Sequence, residues 1–253
     1  ETGSGVALGL QTTATRDGDG WLINGNKKWI GNGTFADVIV VWARDVEDDQ
    51  VKGFLLETPA EGFTAEKIEG KVALRAVENA VLRFDNVAVP ESHRLQNANS
   101  FRDTAKVLRL TRGGVAWNSV GCAMGAYEAA RAYAIRREQF GRPIASFQLI
   151  QDLLAKMLAG ITASQCVASR LSALQEKDAV TEQQAAMAKM YCTTRTREVV
   201  QWAREVMGGN GILLENDVAR FFVDSEALYS YEGTREVNSL IVGRSITGYG
   251  AFV

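Results

Sequence analysis

At 253 residues, with 46% apolar and 23% charged side chains, the chain can bury a sizeable core in one large or two ordinary domains. Its net charge of −2 and pI near 5.7, with Lys and Arg spread rather than blocked, leave no electrostatic footprint for nucleic acid. No stretch is apolar for long enough to insert into a membrane, and no basic-then-apolar targeting segment is visible.

Residues 1–96 read as strands, short β-branched or aromatic runs punctuated by Asp17-Gly18-Asp19-Gly20, Asn24-Gly25 and Asn32-Gly33. Trp21-Leu22-Ile23 and Lys28-Trp29-Ile30 are expected to be hairpin arms around Asn24-Gly25, and Val38 to Trp42 is apolar enough for a central strand. Trp29-Ile30-Gly31-Asn32-Gly33 puts a flat aromatic beside a turn, where a planar group could stack; an ordinary core Trp is the alternative. Pro90 closes this half, since it cannot donate to a ladder. His93 follows in a polar loop, and with no second His and no Cys-x-x-Cys pair the conventional zinc sites are excluded, so no metal is expected.

From residue 97 the period becomes helical. Thr104 to Arg136 carries Gly113, Gly114, Gly121 and Gly125, where another helix could approach. Ile150, Leu154, Met157, Ile161, Leu171 and Leu174 form one apolar stripe. Thr181 with Gln184 makes a capping box for a helix that runs to Gly208-Gly209, and a shorter helix is expected from Thr234 to Thr247. The odd, widely spaced Cys122, Cys166 and Cys192 read as reduced core thiols.

Three segments suggest chemistry. Arg137 to Gln148 offers a cation, an aromatic face and an amide, and a guanidinium at Arg137 suits a pyrophosphate; a salt-bridged turn is the alternative. Gly208-Gly209-Asn210-Gly211 is bare backbone that could cradle a phosphate or end a helix. Tyr231-Glu232-Gly233-Thr234 sets one carboxylate beside a ring and before Gly, either an acidic capping turn or a desolvated general base.

Taken in order, these pieces resemble the acyl-CoA dehydrogenase family over essentially the whole chain. Trp29 to Gly33 looks like the family's Trp-Ile-Thr-Asn-Gly element, and Arg137 to Gln148 like its Arg-x-x-Phe-Gly element ending in Gln. Met207 to Gly211 is similar to its Leu-Gly-Gly-x-Gly element, and Tyr231 to Thr234 to its catalytic loop. Val40 to Arg44, Gly53 to Glu57 and Gly243 to Gly248 look most like the glutaryl-CoA dehydrogenase branch. Gly31 stands where Thr is usual, and Glu205 where many members have Gln.

The resemblance implies an α+β multidomain fold: a middle β-barrel domain over residues 1–96, then an antiparallel four-helix bundle over 97–253. The family's N-terminal helical domain is absent from this stretch, which starts at Glu1 without Met and reads as a piece of a longer polypeptide. It implies an FAD-dependent dehydrogenase that converts an acyl-CoA thioester, short-chain or glutaryl-like, to a trans-2-enoyl-CoA. The implied electron acceptor is an electron-transferring flavoprotein. A homotetramer, a dimer of dimers in which one subunit's bundle contacts its neighbour's flavin, and a bacterial cytoplasmic or mitochondrial-matrix location are implied as well. Glu232 corresponds to the catalytic base; Arg112, Gly233, Ser4 and Tyr231 fall at the substrate. At the flavin the resemblance places Trp29 and Ile30, then Arg137, Gln139, Phe140, Ile144, Phe147 and Gln148. Glu205, Gly208, Gly209, Thr234, Glu236 and Phe252 complete that set. An acyl-CoA oxidase is the alternative enzyme, distinguished by peroxide formed in air. An inactive paralogue or flavin-free helical scaffold is the alternative of another class, distinguished by absent flavin absorbance.

Overall fold

A computed structural model describes residues 9–250, and the chain divides into two units, 1–107 and 108–253. The first unit holds strands β1 (Thr13–Asp17), β2 (Gly20–Gly31), β3 (Val38–Asp45), β4 (Val51–Glu57), β5 (Phe63–Lys67) and β6 (Asn79–Pro90). They form one six-stranded sheet in the order β4-β3-β1-β2-β6-β5, antiparallel throughout except for the parallel β1–β3 pair. Successive side chains of a strand point to opposite faces, and Trp21 and Ile23, then Ile39, Val41 and Ala43, then Leu82 and Phe84 bury every second position into one core. The expected central strand is β3, though Val38 and Val40 on its other face stay exposed.

The hairpin expected at Asn24-Gly25 is not formed there. The upstream signal at Asp17 to Gly20 makes the β1–β2 turn, and Asn24-Gly25 lies inside the long strand β2, where its register with β6 shifts. Gly25 has φ +136°, and a Cβ on it would stand 2.8 Å from the Thr12 backbone. Its glycine therefore serves a bulge and a close approach rather than a turn.

The second unit is helical: α1 (Phe101–Arg136), whose first turns belong to the first unit, α2 (Gln148–Gln175), α3 (Glu182–Val206), α4 (Asp217–Ser230) and α5 (Arg235–Thr247). The periodicity reading missed α4. Its apolar and small positions Val218, Phe221, Phe222, Ser225 and Leu228 follow helical spacing, but no Pro or Gly marks its start. On α1, small residues face the core at Ala116, Ala123, Ala126, Ala130 and Ala134. Gly125 admits the Phe221 ring, whose Cζ would lie 2.5 Å from an added Cβ, and Gly113 admits Gln175. Among the described residues nothing lies within 4 Å of such a Cβ at Gly114 or Gly121.

The box that starts α3 is formed as expected: the Gln184 N–H donates to Thr181 Oγ1 at 3.4 Å, and the Thr181 N–H to Gln184 Oε1 at 3.0 Å. Cys192 is buried and Cys122 half-buried, but Cys166 is exposed, so the expectation of three core thiols is corrected at that position. Among the described residues no helix is long and apolar enough to cross a membrane.

Candidate active site

Residues 231–234 join α4 to α5, and the backbone turns there through two consecutive left-handed residues, Glu232 (φ 57°) and Gly233 (φ 81°). Gly adopts this region freely and Glu does not, so Glu232 needs its surroundings to hold it. They do so through carbonyls. Lys189 Nζ, on α3, donates to the Tyr229 carbonyl at 2.7 Å and to the Gly233 carbonyl at 2.8 Å. Asn238 Nδ2, on α5, donates to the carbonyls of Gly233 at 2.8 Å, Thr234 at 3.0 Å and Glu232 at 3.5 Å. Arg112 Nε, on α1, donates to the Glu232 carbonyl at 3.4 Å. All three side chains are shut off from water: Lys189 and Asn238 are 0% exposed and Arg112 3%.

With its carbonyl turned inward, Glu232 has its N–H left over: it donates to no described residue. Its carboxylate stays half-exposed, and Oε2 accepts from the Thr111 hydroxyl at 2.9 Å. Thr234 caps α5 by accepting from the Val237 N–H at 3.3 Å, and Glu236 sits exposed in the first turn. The carboxyl of Glu236 is held below its usual range, chiefly by a backbone N–H, then by Thr234 and Arg235. Tyr231 is half-buried, and burial pushes its phenol up, with the Glu232 charge acting the same way and a hydrogen bond with Asn118 opposing. Burial lowers the Arg112 pKa against the Glu182 and Glu232 charges. The ion pair of Arg112 is loose: Nη1 stands 3.7 Å from Glu182 Oε1 and has no hydrogen-bond partner among the described residues.

The second group of expected residues surrounds the α1–α2 turn. A two-residue ladder, β7 (Glu138–Gln139) with β8 (Arg142–Pro143), closes on Phe140 (φ 53°) and Gly141 (φ 77°), the pair of positive φ values a tight primed turn requires. Phe140 is therefore thrust out at 93% exposure. Phe147 meets it edge-on with ring centroids 6.1 Å apart, and the Arg142 guanidinium lies 4.3 Å from the Phe147 ring. Arg137, Gln139 and Gln148 are exposed, whereas Ile144 packs against the helical core. Glu205, Gly208 and Gly209 are also exposed, and Asn210 Nδ2 donates to the Tyr133 hydroxyl at 2.7 Å, tying that turn to the end of α1. From Thr111 to Tyr133 α1 runs ~33 Å at ~1.5 Å per residue, so this end of the unit is remote from Glu232.

In the sheet unit Trp29 adopts φ 67° where the β2–β6 register shifts, and it is 58% exposed. A bulge re-aims a side chain, and here it turns the ring to solvent rather than into the core. Ile30, next to it, packs against the sheet's core. Ser4 and Phe252 lie outside the described residues.

Sequence reasoning missed Lys189, Asn238 and Thr111. A signal existed for the first: Lys189 falls at the i+4 position between buried Ala185 and Thr193, on the apolar stripe of α3 rather than its polar face.

A strand unit followed by a helical one, with a carboxylate held in a dedicated loop, defines an α+β protein built around a candidate acid–base site. The chain belongs to the acyl-CoA dehydrogenase family: the family's C-terminal domain matches residues 101–247 and its middle domain residues 1–87. It is 32% identical to the mitochondrial short-chain specific acyl-CoA dehydrogenase of Bos taurus, over 96% of this chain and 60% of that one. It is equally 32% identical to CarC, a subunit of the caffeyl-CoA reductase–Etf complex of Acetobacterium woodii, over 96% and 65%. Two solved structures of glutaryl-CoA dehydrogenase from Mycobacterium smegmatis, one in complex with FADH2, superpose at TM-score 0.93 with 39% and 35% identity, over 97% of this chain and 63% of theirs. The chain thus spans less than two thirds of the relatives it matches.

Proposed function

We propose that this chain carries the base and the flavin contacts of an acyl-CoA dehydrogenase, which oxidises a short-chain or glutaryl-like thioester to its trans-2-enoyl-CoA. The observation that carries the reading is the division of labour at Glu232. Its carbonyl is tied inward by Arg112 and Asn238, while its N–H and one carboxylate oxygen make no hydrogen bond among the described residues. An α-proton beside a thioester is a weak acid, so removal needs both a positioned base and a donor for the developing enolate oxygen. The Glu232 carboxylate takes the proton, the Glu232 N–H donates to the thioester oxygen, and the Thr111 hydroxyl fixes which carboxylate oxygen is free. Gly233, with no side chain, leaves room for the thioester, and Tyr231 and Arg112 border it.

The exposed residues fit a flavin. An outward Trp29 offers a flat face, Phe140 offers a second, and the exposed Arg137 guanidinium suits a diphosphate. FAD, when bound, supplies the two-electron acceptor for the hydride that leaves the β-carbon as the double bond forms. Thr234 and Glu236 are assigned to the flavin of the same site. Arg137, Gln139, Phe140, Phe147, Gln148, Glu205, Gly208 and Gly209 belong to the segments at the far end of α1, which runs ~33 Å from Thr111 to Tyr133, and this supports their serving a neighbour's flavin in a dimer of dimers. On this reading residues 1–96 are the family's middle barrel, 97–253 its four-helix bundle, and an electron-transferring flavoprotein takes the electrons, in keeping with the CarC relative. The test is an anaerobic panel of acyl-CoA esters, glutaryl included, against the full-length flavoprotein. Loss of flavin absorbance with a product lighter by two hydrogens is expected for at least one ester; an unchanged spectrum with every ester would overturn the reading.

A further inference from the structure

A fully buried lysine beside a catalytic loop demands an explanation, since a lone ammonium is expensive to desolvate and few structures retain one without a partner. Among the described residues Lys189 has no carboxylate in hydrogen-bond contact; it has two carbonyls, Tyr229 at the last turn of α4 and Gly233 just after the base. These two brackets enclose Tyr231 and Glu232, the stretch where the chain passes through the left-handed region. We propose that Lys189 is a positioning residue, a clamp whose ammonium ties the end of α4 to the Gly233 carbonyl and thereby holds the Glu232 carboxylate and N–H at the angle for proton abstraction. This rests on the reading of Glu232 as the base.

The clamp is charge-assisted, and hydrogen bonds from an ion are roughly twice as strong as neutral ones. Its charge is also conditional. Burial lowers the Lys189 pKa to about 8; the Arg112 guanidinium on α1 adds to that, while Glu232 on the loop and Glu236 on α5 oppose it. As pH rises through that value the ammonium becomes an amine and the clamp weakens. The effect on folding has the opposite sign. Between about 8 and 10.5 the unfolded chain keeps a proton that the folded chain has released, so this group alone makes folding more favourable as pH rises. A purely structural role gives rising stability with unchanged chemistry; a positioning role gives rising stability with falling rate.

The experiment compares wild type, Lys189→Met, Lys189→Arg and Glu232→Gln in the full-length flavoprotein. Anaerobic flavin bleaching by butyryl-CoA or glutaryl-CoA is followed from pH 7 to 9.5, and binding is measured separately with acetyl-CoA, which has no β-carbon to oxidise. For Lys189→Met we expect bleaching at pH 7 slowed ~30-fold or more, acetyl-CoA affinity within threefold of wild type, and loss of the alkaline fall that wild type shows near pH 8. Lys189→Arg, which keeps charge and donors, is expected to recover part of the rate. Bleaching at the wild-type rate in Lys189→Met, or a wild-type rate that stays flat or rises to pH 9.5, overturns the clamp. If Lys189→Met does not fold, the wild-type pH profile and Lys189→Arg decide. Full bleaching in Glu232→Gln sinks the base reading itself, whereas its loss there beside a normal Lys189→Met sinks only the clamp.

Discussion

The strain at Glu232 is a few degrees of freedom with an identifiable cause. A non-glycine at φ 57° costs about 1–2 kcal/mol and persists where the surroundings over-determine it, here through the six bonds from Lys189, Asn238 and Arg112 to four carbonyls. Gly233 shares the turn at φ 81°, and a Cβ there would stand 3.2 Å from Asn238 Nδ2 and 3.7 Å from Arg112 Nη2. Gly233→Ala is therefore expected to disturb both the turn and the amide that holds it. Flavin content should stay at the wild-type level while anaerobic bleaching slows about 10-fold, the rate equivalent of about 1.4 kcal/mol; a full-speed Gly233→Ala would show that the left-handed turn is incidental. At this scale the sequence pointed to the loop through Gly after an acidic residue, but not to its support. Lys189 sits among alanines and reads as one more helical cation, and only its place on the buried stripe betrays it. Trp29 was ambiguous for the converse reason: whether a strand Trp faces core or solvent depends on a register shift against β6 that local sequence does not encode.

Among the elements, α3 carries the clamp, and its start is fixed two turns before Lys189 by Thr181 and Gln184. Losing an N-cap of this kind costs about 1 kcal/mol, which in a unit of this size corresponds to roughly 2–4 °C in the thermal midpoint. Thr181→Ala should show that fall by calorimetry and leave bleaching at 25 °C unchanged; an unchanged midpoint would mean that packing, not the cap, sets where α3 begins. Capping chemistry is local, so this box was legible from two residues. Helix α4 was not, because its apolar spacing is interrupted by Asp224 and Glu226 and its entry at Asn216 makes no side-chain cap. Asn24-Gly25 misled for a related reason: the dipeptide that favours a hairpin also suits a bulge, and only pairing with β6 and the approach of Thr12 choose between them.

Across the whole molecule, the change from a period of two to a period of 3.6 near residue 97 falls just before α1 begins at Phe101, while the two units divide at 107/108. What periodicity did not convey is how function is distributed along one helix. Helix α1 meets Glu232 at Thr111 and Arg112 and runs ~33 Å from there to Tyr133, close to its end before the exposed Phe140 turn. The family resemblance named residues at both ends because it rests on motifs and not on distances. The most direct measurement is anaerobic flavin bleaching by a saturated acyl-CoA in the full-length protein, wild type against Glu232→Gln. Glu232→Gln is expected to keep its flavin and bind the ester yet show no bleaching, because the amide cannot accept the α-proton; undiminished bleaching in that variant would contradict the assignment of Glu232 as the base.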